Sequence, residues 1–382
     1  MLADPATKVV VTCGSGGVGK TTTAAAMGLR AAEAGRRVVV LTIDPARRLA
    51  QSLGLTELDN TPRVVDGVGA SAGGTLLAMM LDMKRTFDDV VATHSTPERA
   101  EQIFANPFYQ SLSSSFSGTQ EYMAMEKLSQ LRGQMDEGQA LGEPAPWDLI
   151  VVDTPPSRSA LDFLDAPKRL GRFLDGRMIR LLTAPARAGG RAYLKVVSAS
   201  FTVFTRILTR VLGNDLLADV AAFVSSLETM FGGFRERAEQ TYDLLKAPGT
   251  AFVVVAAPEP DALREASFFV ERLSDESMPL AGLVLNRVHT AASGMRAGQA
   301  REAAERLDTP GAGKADRLAA AALRVHADAV TAAEADRRMI RRFAAAHPQV
   351  PSVTVAALPD DVHDAAGLRR IGELLATGAR TA

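Results

Sequence analysis

A run of glycines followed by a lysine and a threonine stands near the start of the chain. Residues 14–21 read GSGGVGKT and match the whole G-x-x-x-x-G-K-[ST] pattern. Glycines let the backbone turn so that successive N–H groups point into one concavity, which suits an anion. Lys20 adds a positive charge near the β- and γ-phosphates, and the Thr21 hydroxyl is a ligand for Mg²⁺. The spacing predicts a site for nucleotide phosphates with magnesium, made by Gly14, Ser15, Gly16, Gly17, Val18, Gly19, Lys20, Thr21 and Thr22.

The sequence on either side of this phosphate loop (residues 14–21) has the order that such a loop needs. Lys8–Thr12 is an apolar run of strand length, and Lys20–Ala34 is rich in alanine, with Gly28 as its one helix breaker. A chance match in a glycine-rich chain is the alternative, but it does not predict a strand before the loop and a helix after it. The helix also turns the positive end of its dipole toward the anion.

Length and composition limit the classes of protein to which the chain can belong. Its 382 residues, 47% of them hydrophobic, suffice for one enlarged domain or two. A net charge of −1 gives no electrostatic reason to expect a nucleic-acid partner. Cys13 is the only cysteine, which excludes a disulfide framework and a cysteine zinc site within one chain. Because Met1–Lys8 lacks the features of a signal peptide and no apolar stretch reaches membrane-spanning length, we expect a soluble, cytoplasmic protein.

Apolar, β-branched runs alternate with helical stretches along the chain, which predicts the α/β class with a mostly parallel sheet covered by helices. Ligands of such sheets bind beyond the carboxyl ends of the strands, so the residues that follow each run are candidates for chemistry. After the first strand, the predicted strands are Arg37–Ile43, Thr75–Leu81, Trp147–Val152, Thr250–Ala256, Leu280–Asn286 and Ser352–Ala357.

We expect residues 1–382 to form a single P-loop nucleoside triphosphatase domain with an inserted helical subdomain. The helical insertions fall at about 82–140 and 157–246, and a charged, alanine-rich helical segment falls at about 291–347. Within the second insertion, apolar residues of 190–231 recur at three- and four-residue steps. They make either the core of the helical subdomain, which is the simpler interpretation, or a groove for an apolar client helix.

Two aspartates follow predicted strands and are candidates for chemistry on the phosphates. Asp44 could accept a hydrogen bond from an attacking water; the alternative is a helix N-cap, because Pro45 follows it. Asp153 could hold Mg²⁺ or one of its waters, as Thr21 could; the alternative is an ordinary turn residue. We favour the functional interpretation because both accompany a phosphate loop. Asp44 and Lys20 are then the predicted catalytic residues.

The end of a later strand bears on the choice of base. A guanine site would carry Asn-Lys-x-Asp there, whereas Asn286 is followed by Arg287 and His289 stands in place of the aspartate. ATP is therefore the predicted nucleotide.

The chain resembles the arsenical-pump-driving ATPases (ArsA), whose eukaryotic relatives deliver tail-anchored membrane proteins. The resemblance looks closest to the ArsA-like ATPases of high-GC Gram-positive bacteria. It implies that Asp44 activates water, that Asp153 lies next to Mg²⁺, and that Asn286 with the Leu358-Pro359 turn holds adenine. The segments that carry it are GSGGVGKTT, TIDPARRL, LLAMMLDM, GTQEYMAMEKL, VVDTPPS, FFVERL, LVLNRV and VAALPDD.

Members of this family work as dimers that close around two ATP molecules. The resemblance therefore implies a homodimer, or a heterodimer with a paralogous ATPase, with a hydrophobic client or a membrane protein as further partner. Closure in the family reshapes a helical subdomain that corresponds here to residues 157–246.

The chain departs from the family at three points. The family's loop has a lysine that reaches the partner's nucleotide, but this chain has Ser15, so Arg47, Arg48, Arg158 or a paralogous subunit would have to supply the cation. The second switch carries two prolines, and Arg158 replaces its glycine. Cys13 alone cannot provide thiolate sites for arsenite or a shared zinc.

Four functions remain to be compared. The leading one is a Mg-dependent ATPase that switches a dimer between open and closed states. The alternative is an ATP-gated binding module with little turnover, active only with a paralogous partner subunit. A DNA-partitioning ATPase is disfavoured because no basic patch is evident, and an iron–sulfur relative is excluded because its cysteine ligands are absent.

Overall fold

The computed structural model describes residues 1–44, 48–69, 72–106, 109–110, 119–141, 145–155, 236, 239–291, 294–378 and 380–381. It divides them into two compact units. The first contains residues up to 80, residues 145–155 and residues from 245 onward, and the second contains the described residues of 81–141 and 236–244. The domain organisation of the whole chain stays a prediction, because residues 157–235 of the second predicted insertion lie outside the described ranges.

A single nine-stranded sheet forms the first unit. In spatial order its strands run β3-β4-β2-β5-β1-β6-β7-β8-β9, and all neighbours are parallel except the two edge pairs β3–β4 and β8–β9. This confirms the predicted mostly parallel sheet of the α/β class. The strands are β1 (Val9–Cys13), β2 (Arg37–Thr42), β3 (Arg63–Val64), β4 (Thr75–Met80), β5 (Leu149–Asp153), β6 (Thr250–Ala256), β7 (Leu280–Val288), β8 (Ser352–Ala356) and β9 (Arg380–Thr381).

Helices alternate with these strands along the chain. In chain order the described helices are α1 (Lys20–Glu33), α2 (Arg48–Ser52), α3 (Met83–His94), α4 (Pro97–Ala105), α5 (Thr119–Leu141), α6 (Pro260–Asp275), α7 (Ala297–Leu307), α8 (Lys314–Ala346) and α9 (Ala365–Thr377). No described helix combines the length and the apolar character that a membrane crossing requires.

The central strands are buried on both faces, as parallel strands covered by helices are. Val10 and Val11 of β1 point to opposite faces, and both are almost fully buried. On one face α1 packs so closely that a Cβ added at Gly28 would lie 2.6 Å from Val40 Cγ2. The sheet is therefore a rigid support for the residues at its carboxyl edge.

At the amino-terminal ends of the central strands, Arg36 contacts the first residues of the chain. Its guanidinium contacts Asp148 Oδ1 at 2.7 Å and also donates to the main-chain oxygens of Leu2, Asp4 and Thr7. Since Arg36 and Asp148 precede β2 and β5, their contact connects the two strands that lead to Asp44 and Asp153 at their other ends.

The second unit contains α3, α4 and α5, and an aromatic cluster lies at its centre. Tyr109 stacks on Phe87 with ring centroids 5.4 Å apart and also contacts Phe104. Its hydroxyl donates to Asp88, and burial raises the pKa of Tyr109. Phe87, Phe104 and Tyr109 thus pack against one another within the described part of this unit.

Candidate nucleotide site

The phosphate loop joins the end of β1 to the start of α1, as the sequence predicts. Gly14 has φ +150° and approaches β6 so closely that a Cβ there would lie 2.1 Å from the carbonyl oxygen of Val255. Gly19, the residue before α1, has a left-handed φ of +92°, which glycine adopts without strain. At these two positions the loop requires glycine, because a side chain would collide with the structure or strain the backbone.

Lys20 begins α1 and reaches back across the loop. Its Nζ donates to the Ser15 carbonyl oxygen at 2.7 Å. Burial lowers the pKa of Lys20, and the charges of Asp153, Cys13, Asp44 and Glu265 oppose that shift. The negative charges around the loop thus favour the charged form of Lys20.

Asp153, the last residue of β5, is fully buried. Its Oδ2 accepts from Thr42 Oγ1 at 3.0 Å, and Oδ1 has no hydrogen-bond partner among the described residues. Burial raises the pKa of Asp153 to about 6, although the Thr21 and Thr42 hydroxyls and the charge of Lys20 act in the other direction. Asp153 is thus the end of a strand and not a turn residue.

These atoms fit a magnesium ion. The unpartnered, buried carboxylate oxygen of Asp153 and the Thr21 hydroxyl would supply two of the hard oxygen ligands that Mg²⁺ prefers, and phosphate oxygens and waters would supply the others. Within the described residues no group of three or more His, Cys, Asp or Glu side chains could hold a metal alone. Magnesium held here by Thr21 and Asp153 would therefore need the nucleotide.

Asp44 follows β2 beside Asp153, since β2 and β5 are neighbours with Thr42 opposite Asp153. Its charge raises the pKa of both Lys20 and Asp153. Residues 45–47 lie outside the described residues, so the alternative role of Asp44 as a helix N-cap stays open.

Asn286 lies near the carboxyl end of β7, and Pro359 follows the end of β8 at the same edge of the sheet. The Asn286 Nδ2 donates to the Val18 carbonyl oxygen at 2.8 Å, so this side chain contacts the phosphate loop itself. Pro359 is exposed, three residues after the end of β8. His289 contacts Asp336 Oδ2 with both its main-chain N and its ring Nδ1, at 2.8 and 2.9 Å.

Two contributors to the site were missed in the sequence. Thr42 was a detectable one, because it is the polar end of β2 and hydrogen-bonds Asp153. Glu265 of α6 gave no signal, because no pattern marks a single helical carboxylate; its Oε2 is buried without a hydrogen-bond partner in the described structure. Of the three arginines considered as substitutes for the missing lysine, Arg48 is exposed at the start of α2, whereas Arg47 and Arg158 lie outside the described ranges.

The sheet order, the loop between β1 and α1 and the acidic end of β5 together define a P-loop nucleoside triphosphatase. The chain belongs to the anion-transporting ATPase family of ArsA type, whose model matches residues 7–306. That match confirms the family-level resemblance predicted from the sequence.

Curated relatives include the ATPase GET3 of Podospora anserina, 26% identical over 72% of this chain and 71% of the relative. The ATPase ASNA1 homolog of Cryptosporidium parvum is 26% identical over 72% of this chain and 63% of its own length. The ATPase GET3A of Arabidopsis thaliana is 25% identical over 74% of this chain and 67% of its own length. The chain thus spans about two thirds of the length of these relatives.

Proposed function

We propose that this protein binds Mg-ATP and hydrolyses the bond between its β- and γ-phosphates. The observation that carries the proposal is the phosphate loop between β1 and α1, with the Lys20 Nζ on the Ser15 carbonyl oxygen and the buried Asp153 at the end of the neighbouring strand β5. Loop N–H groups and the Lys20 ammonium would bind the phosphates and stabilise the negative charge that moves toward the leaving oxygen. Magnesium, held by Thr21 and Asp153, would neutralise charge on the phosphate oxygens.

Asp44 would orient the attacking water by accepting a hydrogen bond from it. Its position after β2, next to the strand that ends in Asp153, supports this role. A carboxylate there directs the water oxygen at the γ-phosphorus, and such positioning contributes much of the acceleration in phosphoryl transfer.

Adenine is the proposed base, held by Asn286 and the turn at Pro359. The guanine-reading aspartate is replaced by His289, whose imidazole contacts Asp336 of its own chain. An imidazole there offers no carboxylate to guanine N1 and N2, so the proposed site favours ATP over GTP.

The proposal extends to an assembly that resembles that of ArsA-type ATPases. The protein would act in the cytoplasm as a homodimer, or as a heterodimer with a paralogous ATPase, and would switch between open and closed states with a hydrophobic client or membrane protein as partner. Its nearest relatives would be the ArsA-like ATPases of high-GC Gram-positive bacteria. The net charge of −1 supports a function without nucleic acid.

A second function is favoured by one residue. Ser15 stands where the family has a lysine that acts across the dimer, and a hydroxyl carries no charge to a partner's phosphates. The second candidate is therefore an ATP-gated binding module with little turnover, active only beside a paralogous subunit.

Steady-state phosphate release from the purified protein tests these functions. We expect Asp44→Asn to bind Mg-ATP like the wild type but to release phosphate at least about 10²-fold more slowly, because a positioned acid–base group contributes that much. Asp66→Asn, which changes an exposed carboxylate in the same unit, is the matched control and should leave the rate unchanged. Equal rates for Asp44→Asn and the wild type would remove the role of Asp44. Turnover that appears only with a paralogous partner would favour the gated module.

A further inference from the structure

We infer that Asn286 is a positioning residue for the phosphate loop, acting on the phosphates of every nucleotide in addition to any contact with the base. The inference rests on the proposed function and deepens it, because it concerns how that same site is held ready for phosphate.

The first observation is the contact between Asn286 and the loop. Asn286 is 7% exposed, and its Nδ2 donates to the Val18 carbonyl oxygen at 2.8 Å. The same amide lies against the next residue, because a Cβ added at Gly19 would be 2.3 Å from Nδ2. A loop that directs its N–H groups inward leaves carbonyl oxygens on its outer side, and these need donors. Asn286 is such a donor.

The second observation is the irregular backbone that aims Asn286. The register of β7 against β8 shifts between Leu285 and Val288, so Asn286 and Arg287 form a bulge. Arg287 has φ +59°, a left-handed conformation that costs a residue with a side chain energy. Bulges beside active sites commonly re-aim a side chain. This one turns Asn286 toward the loop.

The third observation is an anchor directly after the bulge. Asp336 of α8 is 5% exposed, and its Oδ2 accepts from both the main-chain N and the ring Nδ1 of His289. The chain is thus held on both sides of Asn286, by the β7 ladder before the bulge and by α8 after it.

One asparagine can combine two roles, a contact with the phosphate loop and a contact with the base, and an experiment can distinguish them. An amide has a second N–H and a carbonyl oxygen besides the N–H used here, so the loop contact leaves groups for adenine. A residue that acts only through the base affects nucleotides alone. A residue that shapes the loop also affects binding of a phosphate chain that has no base.

Titration calorimetry with Mg-ATP, Mg-GTP and Mg-tripolyphosphate tests the inference. We expect Asn286→Ala to weaken binding of all three by a similar factor, about 3- to 10-fold, the usual net value of one hydrogen bond. Asn286→Asp keeps the shape but places a carboxylate oxygen against the Val18 carbonyl, and it should lose at least as much. His289→Ala, which removes one of the two anchoring contacts, should show a smaller loss with the same pattern.

Pro359→Ala is the contrasting control, because the proposed turn would contact only adenine. It should weaken Mg-ATP and leave Mg-tripolyphosphate unchanged. If Asn286→Ala and Asn286→Asp behave like Pro359→Ala, with tripolyphosphate binding intact, the inference is wrong and Asn286 acts through the base. If the wild type binds none of the three ligands, the proposed function itself fails.

Discussion

At the scale of one residue, Asp153 is a group in the candidate site that lowers the stability of the metal-free protein. Its carboxyl is fully buried, and one oxygen has no hydrogen-bond partner in the described structure. A buried polar group without a hydrogen-bond partner lowers the free energy of unfolding, and such groups are rare in folded proteins. The arrangement makes sense where a cation completes it, which is the role that we propose for Asp153 with Thr21.

Asp153→Asn should therefore stabilise the metal-free protein at neutral pH. The folded pKa of about 6 exceeds the ordinary 3.8, so the folded state holds more protons between these values and the wild type loses stability as the pH rises from about 4 to about 6. Two pKa units correspond to about 3 kcal/mol, an upper limit for the gain in the free energy of unfolding at pH 7.5. The gain should vanish near pH 4.

Urea denaturation of both proteins with a chelator present measures this difference, and Asp66→Asn controls for the removal of one charge. A variant that is less stable than the wild type at pH 7.5 would show that Asp153 is satisfied without a metal.

Most residues of the proposed site were candidates in the sequence because each follows a recognisable strand or belongs to the loop. Asp44 and Asp153 end buried runs, and the parallel sheet brings such ends to one edge. Glu265 was not predictable, since its effect on Lys20 depends on how α6 packs, which periodicity does not give. The contact of Asn286 with Val18 depends on a bulge in β7, and no residue type in Leu283–Val288 predicts that bulge.

At the scale of elements, α1 connects the loop to the sheet. Gly28 lets the helix approach β2, because a Cβ at that position would be 2.6 Å from Val40 Cγ2. The sequence marks Gly28 as a helix breaker, whereas the structure shows a position where helix and sheet meet. All seven predicted strands exist, Thr250–Ala256 with the predicted bounds and the other six with ends shifted by one or two residues. The strands β3 and β9 were missed because two-residue edge strands carry no periodicity.

Gly28→Ala should destabilise the protein even though alanine favours helices. Overpacking costs about 1–3 kcal/mol, which exceeds the 0.5–1 kcal/mol that alanine contributes in a helix. Gly298→Ala in α7 is the matched control, because a Cβ there meets nothing within 4 Å, and it should be neutral or slightly stabilising. Adding Val40→Ala to Gly28→Ala should recover part of the loss in urea denaturation. Two alanine variants of equal stability would contradict this account of the helix–sheet contact.

At the scale of the whole molecule, the proposed dimer requires a cation that one subunit contributes to the nucleotide of the other. Ser15 cannot supply that cation, and its Oγ is buried without a hydrogen-bond partner in the described residues. Ser15→Lys would restore the family's residue and should raise phosphate release by a homodimer, up to about 10³-fold, the lower value known for a cation acting across subunits. Ser15→Ala, which adds no charge, is the control.

Phosphate release and sedimentation with Mg-ATP, measured on the same samples, separate the explanations. Faster phosphate release by a Ser15→Lys dimer would support the view that the wild type lacks a cation acting across the subunits. An unchanged rate, together with a slower Arg48→Ala variant, would assign the cation to Arg48 instead.

Binding of Mg-ATP to the phosphate loop is the claim on which every other statement about function depends. Titration calorimetry of the intact protein measures it directly, with Lys20→Ala as the test and Lys314→Ala, an exposed lysine at the start of α8, as the control. We predict saturable heat for the wild type and for Lys314→Ala, and affinity lower by roughly 10- to 100-fold for Lys20→Ala, as expected for a lost charge-assisted hydrogen bond. No heat for the wild type, or identical isotherms for the wild type and Lys20→Ala, would contradict the account.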